Sequence, residues 1–332
     1  MAFGAPMRIL LTGGSGFVGS YVAEQLSELG HTVRALVRPS SDKRTLEKIK
    51  GLEFASGAVE KPDTLTAAVQ GCEVVIHVAG LVKARSPAEF FAVNEQGTKN
   101  LLAAAETAGV KKFVYVSSLA AIGPSLDGKP VADDATPNPV SHYGKSKLAG
   151  ERAVLAAKER LQVTVIRPPM VYGPRDHETL AFFTSVKNGV LPLLGDGQNT
   201  LSMIYGEDCA RAITLAAVTD TPSGRTYFVE DGNVYVWKSA LAAVEKAMGK
   251  RAFVRVGLPM FVIQISAALS QVWGKLTNTA QMLTLDKVNE LKQPHWVCSG
   301  EGARKELGWV PQTMWEAGVQ KAADWYRAEK WL

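Results

Sequence analysis

Met7-Arg8-Ile9-Leu10-Leu11-Thr12-Gly13-Gly14-Ser15-Gly16-Phe17-Val18-Gly19 is an apolar run that breaks into closely spaced glycines and then continues at helical period. Met7 to Thr12 reads as a buried strand, and Val22, Leu26 and Leu29 fall on one face of a helix predicted from Val18 to Leu29. Glycines at 13, 16 and 19 permit a tight turn, close backbone approach to a ligand, and direct packing of helix on strand. A helix start also presents free N–H groups and a partial positive charge, which suits a pyrophosphate. The segment therefore predicts a dinucleotide cradle made by Gly13, Gly16, Phe17, Val18 and Gly19, with a plain glycine turn as the bland alternative.

Outward from this segment, short β-branched runs alternate with helical sequence as far as Arg167. Strands are expected at Met7 to Thr12, Thr32 to Val37, Leu52 to Ala55, Glu73 to Val78, Lys112 to Ser117 and Gln162 to Arg167, with a further helix from Glu95 to Ala108. Right-handed crossovers make this an α/β protein with a doubly wound parallel sheet and helices on both faces. After Pro168-Pro169 the alternation breaks, and one clear further strand, Thr226 to Glu230, follows. The expected division is a dinucleotide-binding domain over 7–175 with a return segment near 202–232, and a smaller C-terminal α+β substrate lobe over 176–201 and 233–330.

With 332 residues, 46% hydrophobic and 21% charged, the chain can bury a large core. The formal net charge is +5, yet there is no Lys/Arg-rich run, so nucleic acid is not an expected partner. Cys72, Cys209 and Cys298 have neither metal-ligand nor disulfide spacing and read as reduced thiols, which points to the cytoplasm; no metal is expected. Met1 to Pro6 lacks the pattern of a signal peptide. Leu258 to Trp273 is apolar but interrupted by Gln264, Ser266, Ser270 and Gln271, and is too short for a transmembrane segment. It reads as an amphipathic helix packed on the lobe or on a second subunit; a peripheral membrane contact is the open alternative.

Three further features bear on the cofactor and its chemistry. Arg38 ends the second strand where an acidic residue would bind the ribose hydroxyls of NAD, so NADP is preferred, with NAD as the alternative. Ala79-Gly80 after the fourth strand keeps bulk away from the dinucleotide path, and His77 reads as a satisfied core residue. Tyr143 and Lys147 stand at i and i+4 on one helical face, so a nearby ammonium is expected to lower the phenol pKa. Ser118 closes the fifth strand, where its hydroxyl can hold a substrate oxygen beside Tyr143.

Thr12 to Gly19, Ala79-Gly80, Val93 to Thr98, Val116-Ser117-Ser118, Tyr143-Gly144-Lys145-Ser146-Lys147, Arg167 to Pro174 and Leu307 to Pro311 occur in an order that resembles the extended short-chain dehydrogenase/reductase family. The resemblance covers nearly the whole chain. It implies a Rossmann sheet, a catalytic triad of Ser118, Tyr143 and Lys147, nicotinamide contacts from Pro168 and Val171, and a homodimer formed by the Glu95 to Ala108 and Tyr143 to Arg160 helices. Asn94 matches the family's asparagine near the active site, or else caps a helix start.

The chain departs from the family's nucleotide-sugar enzymes at Pro169, where they carry asparagine, and at Leu201, where they carry a diphosphate-binding arginine. It also has Ala58-Val59 where an aspartate often meets adenine, leaving adenine to the backbone, at Val59, or to Arg38. These departures resemble the dihydroflavonol-reductase-like and hydroxysteroid-dehydrogenase-like branch. The expected activity is interconversion of a ketone and a secondary alcohol on a hydrophobic molecule, walled by Phe182, Phe183, Met260, Phe261 and Trp273. A nucleotide-sugar epimerase holding NAD tightly, and a non-catalytic dinucleotide-binding scaffold or redox sensor, are the alternatives.

Overall fold

Strand β1 (Arg8–Thr12) contributes Ile9, Leu10 and Leu11, all completely buried, a pattern that only a strand covered on both faces can have. Around it stand β2 (Thr32–Val37), β3 (Glu53–Ser56), β4 (Val74–His77), β5 (Lys112–Val116) and β6 (Gln162–Arg167). The computed structural model describes residues 5–332, so Met1–Gly4, part of the segment read as lacking a signal peptide, lie outside the described residues.

The sheet has seven strands in the order Arg225–Phe228, β6, β5, β4, β1, β2, β3, with every neighbouring pair parallel. This is the expected doubly wound α/β sheet. Chain order reverses between β1 and β4, which opens a crevice at their carboxyl ends. One face is filled by Leu11, Val22, Leu26, Ile213 and Trp309, the other by Leu10, Leu101, Phe113 and Val163.

Two local expectations change. The helix expected from Glu95 is regular only over Thr98–Thr107, because Ala92–Gly97 forms a wider π-helical turn with Asn94 buried in it. Beyond Pro169, where one strand was expected, the described residues form seven more besides Arg225–Phe228, in three small sheets. Most of these are two or three residues long, too short to carry a period-2 pattern. Together with Trp237–Met248 and Trp315–Ala328 they enclose a separate apolar cluster that includes Phe183, Trp237, Trp315 and Tyr326.

The helix His142–Leu155 meets the sheet at very short range. A Cβ on Gly144 would lie 2.2 Å from the Ala120 carbonyl oxygen, and one on Gly150 would lie 2.3 Å from the Asn94 carbonyl oxygen. Arg167, at the end of β6, anchors the same helix: Nη2 and Nε lie 2.5 and 3.1 Å from the two carboxylate oxygens of Glu151. Both side chains are buried, Arg167 Nη1 donates to the Asp133 carbonyl at 2.7 Å, and the guanidinium lies 5.4 Å over the Phe228 ring. Glu151→Ala would strand this buried cation. The expected loss of folding stability is about 3–5 kcal/mol by urea denaturation; a loss below about 1 kcal/mol would contradict the anchoring role.

Candidate functional site

Gly13 has φ 73°, and a Cβ there would sit 2.6 Å from the Ala79 amide nitrogen, so the glycine turn is pressed against the exit of β4. A Cβ on Gly19 would meet the Gly13 carbonyl oxygen at 2.1 Å, and Gly16 N–H donates to that oxygen at 3.0 Å. The helix Phe17–Glu28 starts with Gly16 as its N-cap, and no side chain accepts from its first amides. Phe17 and Val18 are partly exposed; the Phe17 ring is the surface on which Gly206 rests, and Val18 packs on the core.

Arg38 follows β2, half-exposed, with Nη2 3.0 Å from Glu60 Oε1. Val59 is buried under Gly97, and its carbonyl accepts from Asn100 Nδ2 at 3.0 Å. Ala79 N–H donates to Thr12 Oγ1 at 3.2 Å. At Gly80 a Cβ would come within 3.0 Å of Asn94 Oδ1 and 3.4 Å of Lys147 Nζ. His77 is fully buried between Thr12 Oγ1 at 2.7 Å and Thr98 Oγ1 at 3.0 Å, and burial, with Lys147 second, lowers its pKa to about 3.

Ser118 caps the short helix Leu119–Ile122 at the end of β5, its Oγ accepting from Ala120 N–H at 3.1 Å. Tyr143 stands in the first turn of His142–Leu155, which is capped by Ser141, and its ring centre lies 6.1 Å from that of Phe90. Lys147, one turn on, is buried; Nζ donates to the Val116 carbonyl at 2.6 Å and lies 4.4 Å over the Tyr115 ring. Pro168 accepts from Leu119 N–H at 2.9 Å, and Val171 lies in the short strand Met170–Tyr172 beside Met203–Tyr205. Gly13, Arg38, Ala79, Ser118 and Pro168 thus follow β1, β2, β4, β5 and β6 and share one edge of the sheet.

The electrostatics reverse one expectation. Burial pushes the Tyr143 phenol up to about 12; the Ser118 hydroxyl draws it down and Glu290 raises it further. Burial lowers Lys147 to about 7, with Glu151 acting in the opposite direction. The ammonium engages a carbonyl and an aromatic face, so desolvation of the phenol outweighs any benefit from its neighbour. Asn94 does not cap a helix: Oδ1 accepts from Leu81 N–H at 2.8 Å, and Nδ2 donates to Leu81 O and Ser146 Oγ, each at 3.0 Å. It ties the loop after β4 to the tyrosine-bearing helix.

A cleft of about 370 Å³ opens at Tyr143, with Arg85, Phe90, Gln271, Lys275 and Met282 among its lining residues. The expected walls are elsewhere. Phe182 packs on Trp237 and Phe183 on Tyr326, Met260 lies against the Ile263 cluster, and Phe261 and Trp273 are exposed. Unanticipated from the sequence are Asp286 and Glu290, which hold the start of the tyrosine-bearing helix. His142 N–H donates to Asp286 Oδ2 at 2.9 Å and Ser141 Oγ donates to Glu290, across 144 and 149 residues respectively, a separation that leaves no local signal. Among the described residues no cluster of His, Cys, Asp and Glu could hold a metal ion, and the three cysteines are buried thiols.

Comparison with known proteins agrees with this arrangement of motifs. Residues 9–229 match the model of the NAD dependent epimerase/dehydratase family. The chain is 34% identical to ceramide reductase of Caulobacter vibrioides, covering 100% of this chain and 98% of that protein. It is 28% identical to 2-alkyl-3-oxoalkanoate reductase of Stenotrophomonas maltophilia, covering 95% and 98% respectively. In structure it is similar to UDP-glucose 4-epimerase of Thermotoga maritima, with a TM-score of 0.81 at 23% identity over 98% of this chain and 100% of that one, a likeness of fold. With the strand-glycine-helix start, the seven-stranded parallel sheet and these full-length relatives in agreement, the chain belongs to the NAD dependent epimerase/dehydratase family, in the extended short-chain dehydrogenase/reductase branch.

Proposed function

We propose that this protein interconverts a ketone and a secondary alcohol on a hydrophobic small molecule and prefers NADP(H) to NAD(H). The observation that carries the reading is the Tyr143 phenol at the cleft wall, with the Ser118 hydroxyl bonded to it and Lys147 buried one helical turn on, its Nζ beside Gly80. The relatives named ceramide reductase and 2-alkyl-3-oxoalkanoate reductase support carbonyl chemistry on an apolar substrate. Leu201 supports it too: an apolar side chain cannot pair with a diphosphate, and its strand runs between those of Tyr235 and Trp296.

In this reading residues 7–175 with 202–232 bind the dinucleotide, and 176–201 with 233–330 bind the substrate. The uncapped helix start at Gly16 and the cradle at Gly13 and Gly80 fit a pyrophosphate. Gly19, Phe17 and Val18 shape the turn, Val59 and Ala79 flank the path, and Pro168 and Val171 border the nicotinamide end. A bound nicotinamide supplies or accepts the hydride. Ser118 holds the substrate oxygen, and Tyr143, protonated at neutral pH, donates to that oxygen as it gains negative charge. Lys147 orients the ribose and contributes a positive charge when protonated.

Tyr143→Phe should leave the Kd for NADPH nearly unchanged in a fluorescence titration while lowering turnover about 10² to 10⁴-fold. Assay of NADPH oxidation with long-chain ketones beside nucleotide sugars tests the reading as a whole; turnover confined to the sugars, without net consumption of NADPH, would overturn it. The Arg38–Glu60 ion pair gives a second prediction. Arg38→Ala should weaken NADPH about tenfold or more and NADH little, whereas Glu60→Gln, which frees the guanidinium, should tighten NADPH.

The third prediction concerns pH. Because Lys147 falls from 10.5 to about 7 on folding, the unfolded chain binds more protons between those values, and the contribution of this group to stability rises across that window as pH increases. The melting temperature of the cofactor-free protein should therefore gain on that of Lys147→Met from pH about 7 to about 10. A constant difference across that range would refute the depressed pKa.

A further inference from the structure

The helix Met260–Thr277 lines the cleft through Gln271, Gly274 and Lys275, and Ile263, Ala267 and Gly274 are the residues it buries. Away from that contact, Phe261, Ile265, Leu269, Val272 and Leu276 recur at i, i+4, i+8, i+11 and i+15, with Trp273 beside them. These six side chains are 56–77% exposed. Single apolar residues on a surface are ordinary; six along one helix face mark a contact site. No helix among the described residues is long and apolar enough to cross a membrane.

The sequence leading into and through this helix carries charge of one sign. From Lys246 to Leu285 the sequence contains Lys246, Lys250, Arg251, Arg255 and Lys275 and no acidic residue, so these five cations equal the entire formal excess of +5. Arg255 pairs with Glu245, while Lys246, Lys250, Arg251 and Lys275 form no ion pair among the described residues. Phe253, 79% exposed, stands between Arg251 and Arg255 just ahead of the helix.

We propose that this face docks on an anionic lipid bilayer, with Met260–Thr277 lying in the interfacial plane and the flanking cations on the headgroups. A negatively charged interface complements both the apolar stripe and the cations. A second copy across a two-fold axis would bring the same unpaired cations against one another. The side of the helix facing the protein borders the cleft at Gln271 and Lys275, so the docked helix would stand between the bilayer and the cleft, within reach of a substrate drawn from the lipid. That consequence for substrate access rests on the proposed function; the docking itself rests on the stripe and its charge.

The full chain is to be tested by co-sedimentation with vesicles of phosphatidylcholine and phosphatidylglycerol at roughly 3:1, and with vesicles of phosphatidylcholine alone. The expected result is partition onto the anionic vesicles that weakens in about 0.5 M salt and falls about tenfold or more in Leu269→Glu/Val272→Glu and in Lys250→Glu/Arg251→Glu. NADPH affinity and circular dichroism should be unchanged in both variants, which shows that they fold. Tyr143→Phe should bind vesicles as the parent does, so loss of the catalytic reading would leave this result standing. Absence of partition by the parent, equal partition by the variants, or a parent dimer that persists on vesicles and dissociates in Leu269→Glu/Val272→Glu would overturn the proposal.

Discussion

The closeness of one helix to the sheet is the constraint on which the site depends. With Gly144 against the Ala120 carbonyl and Gly150 against the Asn94 carbonyl, no side chain separates His142–Leu155 from the elements that follow β4 and β5. This approach sets Tyr143 facing Ser118 and places Lys147 Nζ beside Gly80. The Arg167–Glu151 fork, itself buried, fastens the same helix to the end of β6. Backbone contact fixes the distance, and a buried ion pair fixes the direction, of the helix that carries Tyr143 and Lys147.

Tyr143 and Lys147 share that helix but not the electrostatic relation their spacing suggests. In a solvated helix an ammonium four residues on would favour the phenolate. Here both groups lose water, and each is pushed toward its neutral form, the phenol up and the amine down. Proximity in sequence specifies which groups meet; burial, which a linear motif does not encode, decides their protonation.

The same distinction separates what was legible in the chain from what was not. The central sheet could be read because β1, β2, β5 and β6 are long enough to show their pattern, and the turn could be read because Gly13 and Gly19 occupy positions where a Cβ would collide. Ser118, Tyr143 and Lys147 stand on the elements their local spacing predicts, the exit of β5 and one turn of a helix. The π-helical turn at Ala92–Gly97 could not be read, since its residues are compatible with an ordinary helix. Nor could the cleft walls. Phe182 and Phe183 look like pocket residues by composition, but whether an aromatic ring faces a cavity or another ring is settled by packing among distant segments.

Those distant segments also grip the tyrosine-bearing helix. Asp286 and Glu290, carried on Leu285–Leu291, hold the amide of His142 and the hydroxyl of Ser141, the two residues immediately before Tyr143. The same segment contributes to the cleft wall. A displacement of that wall is therefore transmitted to the phenol by a lever two residues long, bypassing the sheet, and the fit of whatever fills the cavity is mechanically linked to the aim of the Tyr143 hydroxyl.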